Sequence, residues 1–291
     1  MAADFRRDSA RPSLLWNVLA AVVSVRMAET GRQALDIVDV GGGTGGLAVR
    51  LAALGHNVTV VDPSPDALAA AQRRAAEAGA RLVSVQGDAA SLDSVAGTAA
   101  ADLVICHNVL EYVDEPADAM AAIARVLRPS AVVSVLASNA VAAVLHRALA
   151  GRFAEARTLL VASVPAAQGG QEGPGGPESP PGTGGIPKGG PGGWVPPGGG
   201  SPGGRPAGAS TTPPGPTPRR FTLPELAALI EDAGMRAGEA HGLRIFGGLV
   251  PGALLDGDAS AAEALRALEE AAASTPPLRD IAAQLHVLGY R

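Results

Sequence analysis

Asp39 sits in an apolar run, Ile37-Val38-Asp39-Val40, and Gly41, Gly42, Gly43, Gly45 and Gly46 lead from it into a helical pattern. A glycine turn lets a ligand approach the backbone with no Cβ in the way. The helix behind it aims its first N–H groups at that ligand. A second acid, Asp62, closes the next apolar run, Val58-Thr59-Val60-Val61. It falls on the order of 20 residues beyond the glycines, where such arrangements place the group that grips a ribose. Asp88 follows a third strand-like run and His107 ends a fourth. The chemistry the glycine turn and Asp62 suggest is the binding of a nucleoside-containing ligand.

Those residues need elements to position them. Residues 13–29 read as a helix, 35–40 as a first strand, and Gly45 to Leu54 as a crossover helix stopped by Gly55-His56-Asn57. Residues 58–62 are a second strand. Pro65 stands in the first turn of a helix that runs to about Ala78 and ends at Gly79. Arg81 to Gln86 is a third strand, and Asp102 to His107 a fourth, nearly all apolar as a strand buried on both faces should be. Pro116 to Leu127 is a helix with Arg128-Pro129 as its stop, and Ala131 to Leu136 a fifth strand. Later, Thr222 caps a helix over Pro224 to Asp232. Met235 to Ala240 and Leu243 to Leu249 are strand-like, Ala261 to Ala273 is an amphipathic helix, and Gln284 to Leu288 a final strand. The alternation predicts an α/β fold. We expect a Rossmann-like doubly wound sheet of about seven strands, mostly parallel with the last antiparallel, and helices on both faces.

Composition separates one stretch from the rest. The chain has 291 residues with 38 Gly and 24 Pro, and most of the Pro falls between Pro165 and Pro218. Such a segment cannot bury enough apolar surface to offset the entropy of ordering it. The expectation is one domain in two parts, 1–164 and 219–291, interrupted by a disordered insertion at 165–218. A proline-rich ligand for a partner protein is the sharper reading of that insertion, and a tolerated loop the plainer one. The formal net charge of −5 gives no global basic field for nucleic acid, so any RNA contact must use a local patch. One cysteine, Cys106, allows no intrachain disulfide, and its place at an apolar strand end reads as packing. Arg6-Arg7 followed by Leu14 to Val25 has the outline of a signal segment, but Asp4, Asp8, Pro12 and Asn17 interrupt it. We read an amphipathic helix there, no membrane span, no metal site, and a cytoplasmic protein.

The glycines fit two patterns. Gly41, Gly43 and Gly46 match the dinucleotide fingerprint, whereas Gly41, Gly43 and Gly45 match the G-x-G-x-G loop of S-adenosylmethionine-dependent methyltransferases. Three further features resemble the methyltransferases. Gly87-Asp88-Ala89 stands where they place an acid for the adenine amino group. Asp102 to Val113 has the shape of their fourth strand and following loop, and Val126-Leu127-Arg128-Pro129 matches the lead into their fifth strand. The chain is similar, more particularly, to the bacterial tRNA 5-carboxymethoxyuridine methyltransferase family. The similar pieces are Arg11-Pro12-Ser13-Leu14-Leu15-Trp16, Leu54-Gly55-His56, His107 to Tyr112, Ser138-Asn139-Ala140, Gly151-Arg152-Phe153, Gly242 to Phe246 and Leu285-His286-Val287.

That resemblance implies a cofactor, S-adenosyl-L-methionine, and a substrate, the carboxylate of a modified wobble uridine in tRNA. It implies that Arg11 clamps the cofactor carboxylate and that Gly41, Gly42 and Gly43, with Asp39 beneath them, line the methionine part. Asp62 would hold the ribose, Asp88 and Ala89 the adenine, and His107 would lie beside the cofactor. For the acceptor, Tyr112 is available to stack on a base, and Asn139, Arg147, Arg219, Arg220 and Arg244 are candidate donors. The plain alternatives are a helix cap for Asn139 and solvated or ion-paired arginines. No residue reads as a catalytic base, because a carboxylate is already ionised at neutral pH. The chain departs from the family where a strongly basic loop is expected. The Gly/Pro insertion stands there, with Lys188 and Arg205 as its cations before the Arg219-Arg220 pair. Fewer cations weaken binding to phosphate. A small-molecule acceptor, or a non-catalytic interaction protein acting through the proline-rich tract, are the competing readings.

Overall fold

A computed structural model of the protein describes residues 13–163, 218–250 and 259–291. Arg11 and the Gly/Pro-rich insertion lie outside the described residues. The first helix, α1 (Leu14–Thr30), starts at Ser13, whose side chain accepts from Trp16 N, and ends on Gly31 in the left-handed region. It buries Leu19, Val22 and Val23 against Leu35, Ile37, Leu103 and Val132.

Then come β1 (Asp36–Val40), α2 (Gly46–Ala53), β2 (Asn57–Asp62), α3 (Pro65–Glu77), β3 (Val83–Gln86), α4 (Leu92–Ala96) and β4 (Ala101–His107). After them follow α5 (Pro116–Val126), β5 (Leu127–Ser138), α6 (Ala140–Leu149), α7 (Phe153–Ser163), α8 (Leu223–Asp232), β6 (Arg236–Leu243), α9 (Ala259–Ala272) and β7 (Gln284–Tyr290).

The strands form one seven-stranded sheet in the order β3-β2-β1-β4-β5-β7-β6. β1 to β5 pair in parallel, whereas β7 runs antiparallel to both β5 and β6. The expected fold class is therefore the observed one, including the antiparallel last strand. Apolar clusters cover both faces. Val104, Cys106, Val133 and Val135 pack with Met120, Ile123 and Ile230 on one, and Leu103, Ile105 and Val132 pack with α1 and α2 residues on the other.

Most elements follow local signals. Pro65 sits in the first turn of α3 behind the Ser64 cap, and α8 carries a full capping box between Thr222 and Glu225. One expectation fails. The strand-like run Leu243 to Leu249 is not a strand beyond Leu243. Arg244 has φ +60, which ends the extended backbone. The next three amides then donate to one side chain: Glu269 of α9 accepts from Ile245 N at 2.7 Å, Phe246 N at 2.8 Å and Gly247 N at 2.7 Å. A carboxylate thus takes the place of a neighbouring strand. Among the described residues no helix is long and apolar enough to cross a membrane.

Candidate functional site

The sheet order reverses between β1 and β4: the chain moves from β1 outward to β2 and β3, then returns to β4 and proceeds to β5. In such sheets the crevice for a ligand opens at the carboxyl ends of the strands on either side of that reversal. The glycine turn, Asp62, Asp88 and His107 all stand at carboxyl ends of these strands.

The turn leaves β1 at Val40. Gly41 has φ +62, and a Cβ there would run into the Val109 side chain of the loop after β4. Only glycine satisfies both demands. A Cβ on Gly42 would sit 2.7 Å from Asp39 Oδ2, so the Asp39 carboxylate lies directly beneath the turn. The other face is open: a Cβ on Gly43 would meet only the Gly41 carbonyl, at 3.9 Å. Asp62 closes the cradle. Its Oδ2 accepts from Gly43 N at 2.9 Å and its Oδ1 from Ser64 N at 2.9 Å.

Asp39 and Asp62 are both buried. Burial, and then the charge of Asp62, push the Asp39 carboxyl up to about 7. The cradle thus holds acceptors suited to hydroxyl and amine donors around an open backbone turn. It fits a nucleoside with a hydroxyl-bearing sugar.

Asp88 is exposed beyond β3. Its Oδ1 accepts from both the amide and the hydroxyl of Ser91, at 2.8 Å each, which hold its carboxyl below the ordinary range. Ala89 is buried beside it in the core. His107 ends β4 with Nε2 2.8 Å from Ser134 Oγ, and burial pulls its imidazole down to about 3. Its Nδ1 is buried with no partner among the described residues.

The acceptor candidates divide. Tyr112 is 73% exposed on the loop after β4. Arg219 lies along that loop, its amide donating to Glu111 O at 3.0 Å and its Nη2 to Asp114 O at 3.3 Å. Arg220 follows it, half-buried. Arg147, on α6, turns instead toward α7, with Nε 3.4 Å from Glu155 Oε2. Arg244 is exposed after β6. Asn139 is committed to the fold. Its Nδ2 donates to Asp280 O and Ala282 O, and its Oδ1 accepts from Val141 N as the cap of α6.

Two residues at this edge had no role in the sequence reading. Asn108 takes φ +55 directly after β4, and its Oδ1 accepts from Gln284 of β7 at 2.6 Å. Glu111 is buried: Oε1 accepts from Ser138 N at 2.8 Å, while Oε2 has no partner among the described residues. An acid inside the apolar stretch Val109-Leu110-Glu111 was the available signal. Its partner, the end of β5, is distant in sequence.

Comparisons with known proteins bear on this geometry. Residues 38–135 match the family model described as a methyltransferase domain. A tRNA 5-carboxymethoxyuridine methyltransferase from Escherichia coli (strain K12) is 34% identical over 145 residues, 49% of this chain and 54% of that protein. A ubiquinone biosynthesis O-methyltransferase from Burkholderia thailandensis is 36% identical over 95 residues, 32% of this chain and 40% of that protein. The chain thus spans about half the length, or less, of these curated relatives. Among solved structures, an S-adenosylmethionine dependent methyltransferase from Mesorhizobium loti is similar with a TM-score of 0.50 at 16% identity, over 95% of this chain and 97% of its own. That last likeness concerns the fold alone.

Proposed function

We propose that this chain, which carries a class I S-adenosylmethionine-dependent methyltransferase domain, methylates the carboxylate of a carboxymethoxy-modified wobble uridine in tRNA. The observation that carries the cofactor reading is the open glycine cradle closed by the Asp62 carboxylate at the reversal of the sheet. The tRNA reading draws support from the relative at 34% identity. In this reading 1–164 and 219–291 act as one cytoplasmic domain, and the Pro-rich tract at 165–218 is available to a protein partner.

S-adenosylmethionine, when bound, supplies a sulfonium methyl that is already a strong electrophile. The chain's own residues have four tasks. Gly41 to Gly43 leave room for the methionine part, Asp62 accepts from the ribose hydroxyls, Asp88 and Ala89 meet the adenine, and Arg11 takes the carboxylate with its planar fork. A carboxylate acceptor arrives ionised, so the protein supplies alignment and exclusion of water rather than a base. Tyr112 and Arg219-Arg220 share one loop region and are the natural contacts for the acceptor.

The test is transfer from labelled S-adenosylmethionine to tRNA of a strain lacking this gene, with mass analysis of the nucleosides. A new uridine methyl ester that disappears with Asp62→Ala supports the reading. Cofactor binding without transfer to tRNA would move the acceptor to a small hydroxyl compound. The relative that is an O-methyltransferase of ubiquinone biosynthesis favours that second reading.

A further inference from the structure

Four polar side chains form a row across the sheet, from β4 through β5 and β7 to β6. His107 Nε2 lies 2.8 Å from Ser134 Oγ, which lies 2.8 Å from His286 Nε2. His286 Nδ1 in turn lies 3.3 Å from His241 Nδ1. The rings of His241 and His286 stack with centroids 5.5 Å apart. Ser134 and His286 are fully buried. One end of the row, His107 Nδ1, is buried at the carboxyl end of β4 without a partner among the described residues. The other end, His241, lines an open cavity of about 940 Å³ beneath α1, with Arg26, Glu239 and Tyr290 among its walls. That cavity includes no residue of the glycine turn.

A neutral imidazole carries one N–H and one lone pair, and a hydroxyl carries one hydrogen. The Ser134 oxygen could also accept from both rings at once, but its hydrogen has no other acceptor among the described residues; with that hydrogen used inside the row, two arrangements remain. In the first, His241 Nδ1–H donates to His286 Nδ1, His286 Nε2–H donates to Ser134, and Ser134 O–H donates to His107 Nε2. His107 then carries its proton on Nδ1. In the second, every bond is reversed, His107 holds its proton on Nε2, and its Nδ1 is a lone pair. Passing from the second to the first takes one proton in at His107 Nδ1 and releases one from His241 Nε2. Each proton moves one link, and all three rings end neutral.

We infer that Ser134, His286 and His241 are positioning residues that fix which nitrogen of His107 carries the proton, so that the cavity beneath α1 sets the hydrogen-bonding character of the cofactor edge. With a proton on Nδ1, His107 faces that edge as a donor, which suits a carboxylate. With a lone pair there, it suits a hydroxyl, whose proton the row carries away. This consequence alone rests on the proposed function. The row itself is testable without cofactor or acceptor.

The experiment is long-range proton–nitrogen NMR on the full chain labelled with ¹⁵N-histidine, which reports the protonated nitrogen of each of its 5 histidines. His241→Lys offers only donors and His241→Glu only acceptors. Both replacements reach the open cavity. The expected result is His107 protonated on Nδ1 in the first variant and on Nε2 in the second, with the difference abolished when Ser134→Ala is added. The same His107 tautomer in both variants overturns the inference. His56, whose Nδ1 accepts from Leu35 N at 3.3 Å away from the row, reports whether the variants are folded. Should they unfold, Ser134→Ala alone decides: the nitrogens of both His107 and His286 must shift, and unchanged nitrogens overturn the inference.

Discussion

The two ends of β1 carry acids in opposite circumstances. At its start, Asp36 and the neighbouring Asp102 of β4 are met by two arginines. Arg32 and Arg128 both donate to Asp36 Oδ2, at 2.8 and 2.9 Å, and both pair with Asp102. Burial opposes ionisation of Asp36, yet bonds from Arg32, Asn57 and Arg128 hold its carboxyl below the ordinary value. At the other end, Asp39 and Asp62 share a buried site where neither pairs with an arginine among the described residues, and Asp39 is pushed up to about 7. Three residues along one strand, the same side chain changes from a neutralised structural link to an acid held against its own preference. Buried acids without a cationic partner cost stability, and their position at the sheet reversal fits the binding role proposed above.

The largest effect that tests this contrast is in pH dependence. A carboxyl raised on folding contributes stability that is fully present below its unfolded value and lost as pH rises through its folded one. The Asp39 contribution should therefore fall between about pH 4 and 7, over roughly 3 units at about 1.36 kcal/mol each, on the order of 4 kcal/mol. Denaturant unfolding of the wild type and Asp39→Asn at stepped pH measures it. A constant difference between the two would break the comparison.

Next comes Asp102→Asn at the other end, which should cost about 2 kcal/mol. That is below the roughly 3–5 kcal/mol of a fully buried pair, because Arg32 and Arg128 keep 37% and 31% of their side chains in water. Its affinity for S-adenosylmethionine, read by calorimetry, should match the wild type. Asp62→Asn should do the reverse. Losing one charged acceptor weakens cofactor binding roughly 10–100-fold, from about 1.5–3 kcal/mol for a charged hydrogen bond; its unfolding midpoint should fall less than that of Asp102→Asn, because the amide oxygen keeps one of the two backbone bonds and the repulsion with Asp39 is relieved. The smallest effect sharpens the baseline. Thr222→Ala, in the capping box of α8 and in contact with neither acid pair, should cost about 1 kcal/mol and leave cofactor affinity alone.

What could be read in advance was what neighbouring residues decide together. The alternation through β1, α2, β2 and α3, the Pro65 start and the Thr222–Glu225 box are written in a few adjacent positions. The misread run after Leu243 depended on Glu269, a side chain of another helix that no local window contains. Asn139 was a candidate donor by type. Its acceptors, Asp280 O and Ala282 O, lie at the far end of the chain.

The sequence by itself determined the parallel α/β order, the glycine turn and the acid that closes it, because strand period, helix caps and the freedom of glycine act over short spans. Only the tertiary structure decided which acids are neutralised and which are left buried beside each other. It alone set His107, Ser134, His286 and His241 in one row. Charge pairing and hydrogen bonding depend on distance in space, and here the partners come from strands separated by much of the chain.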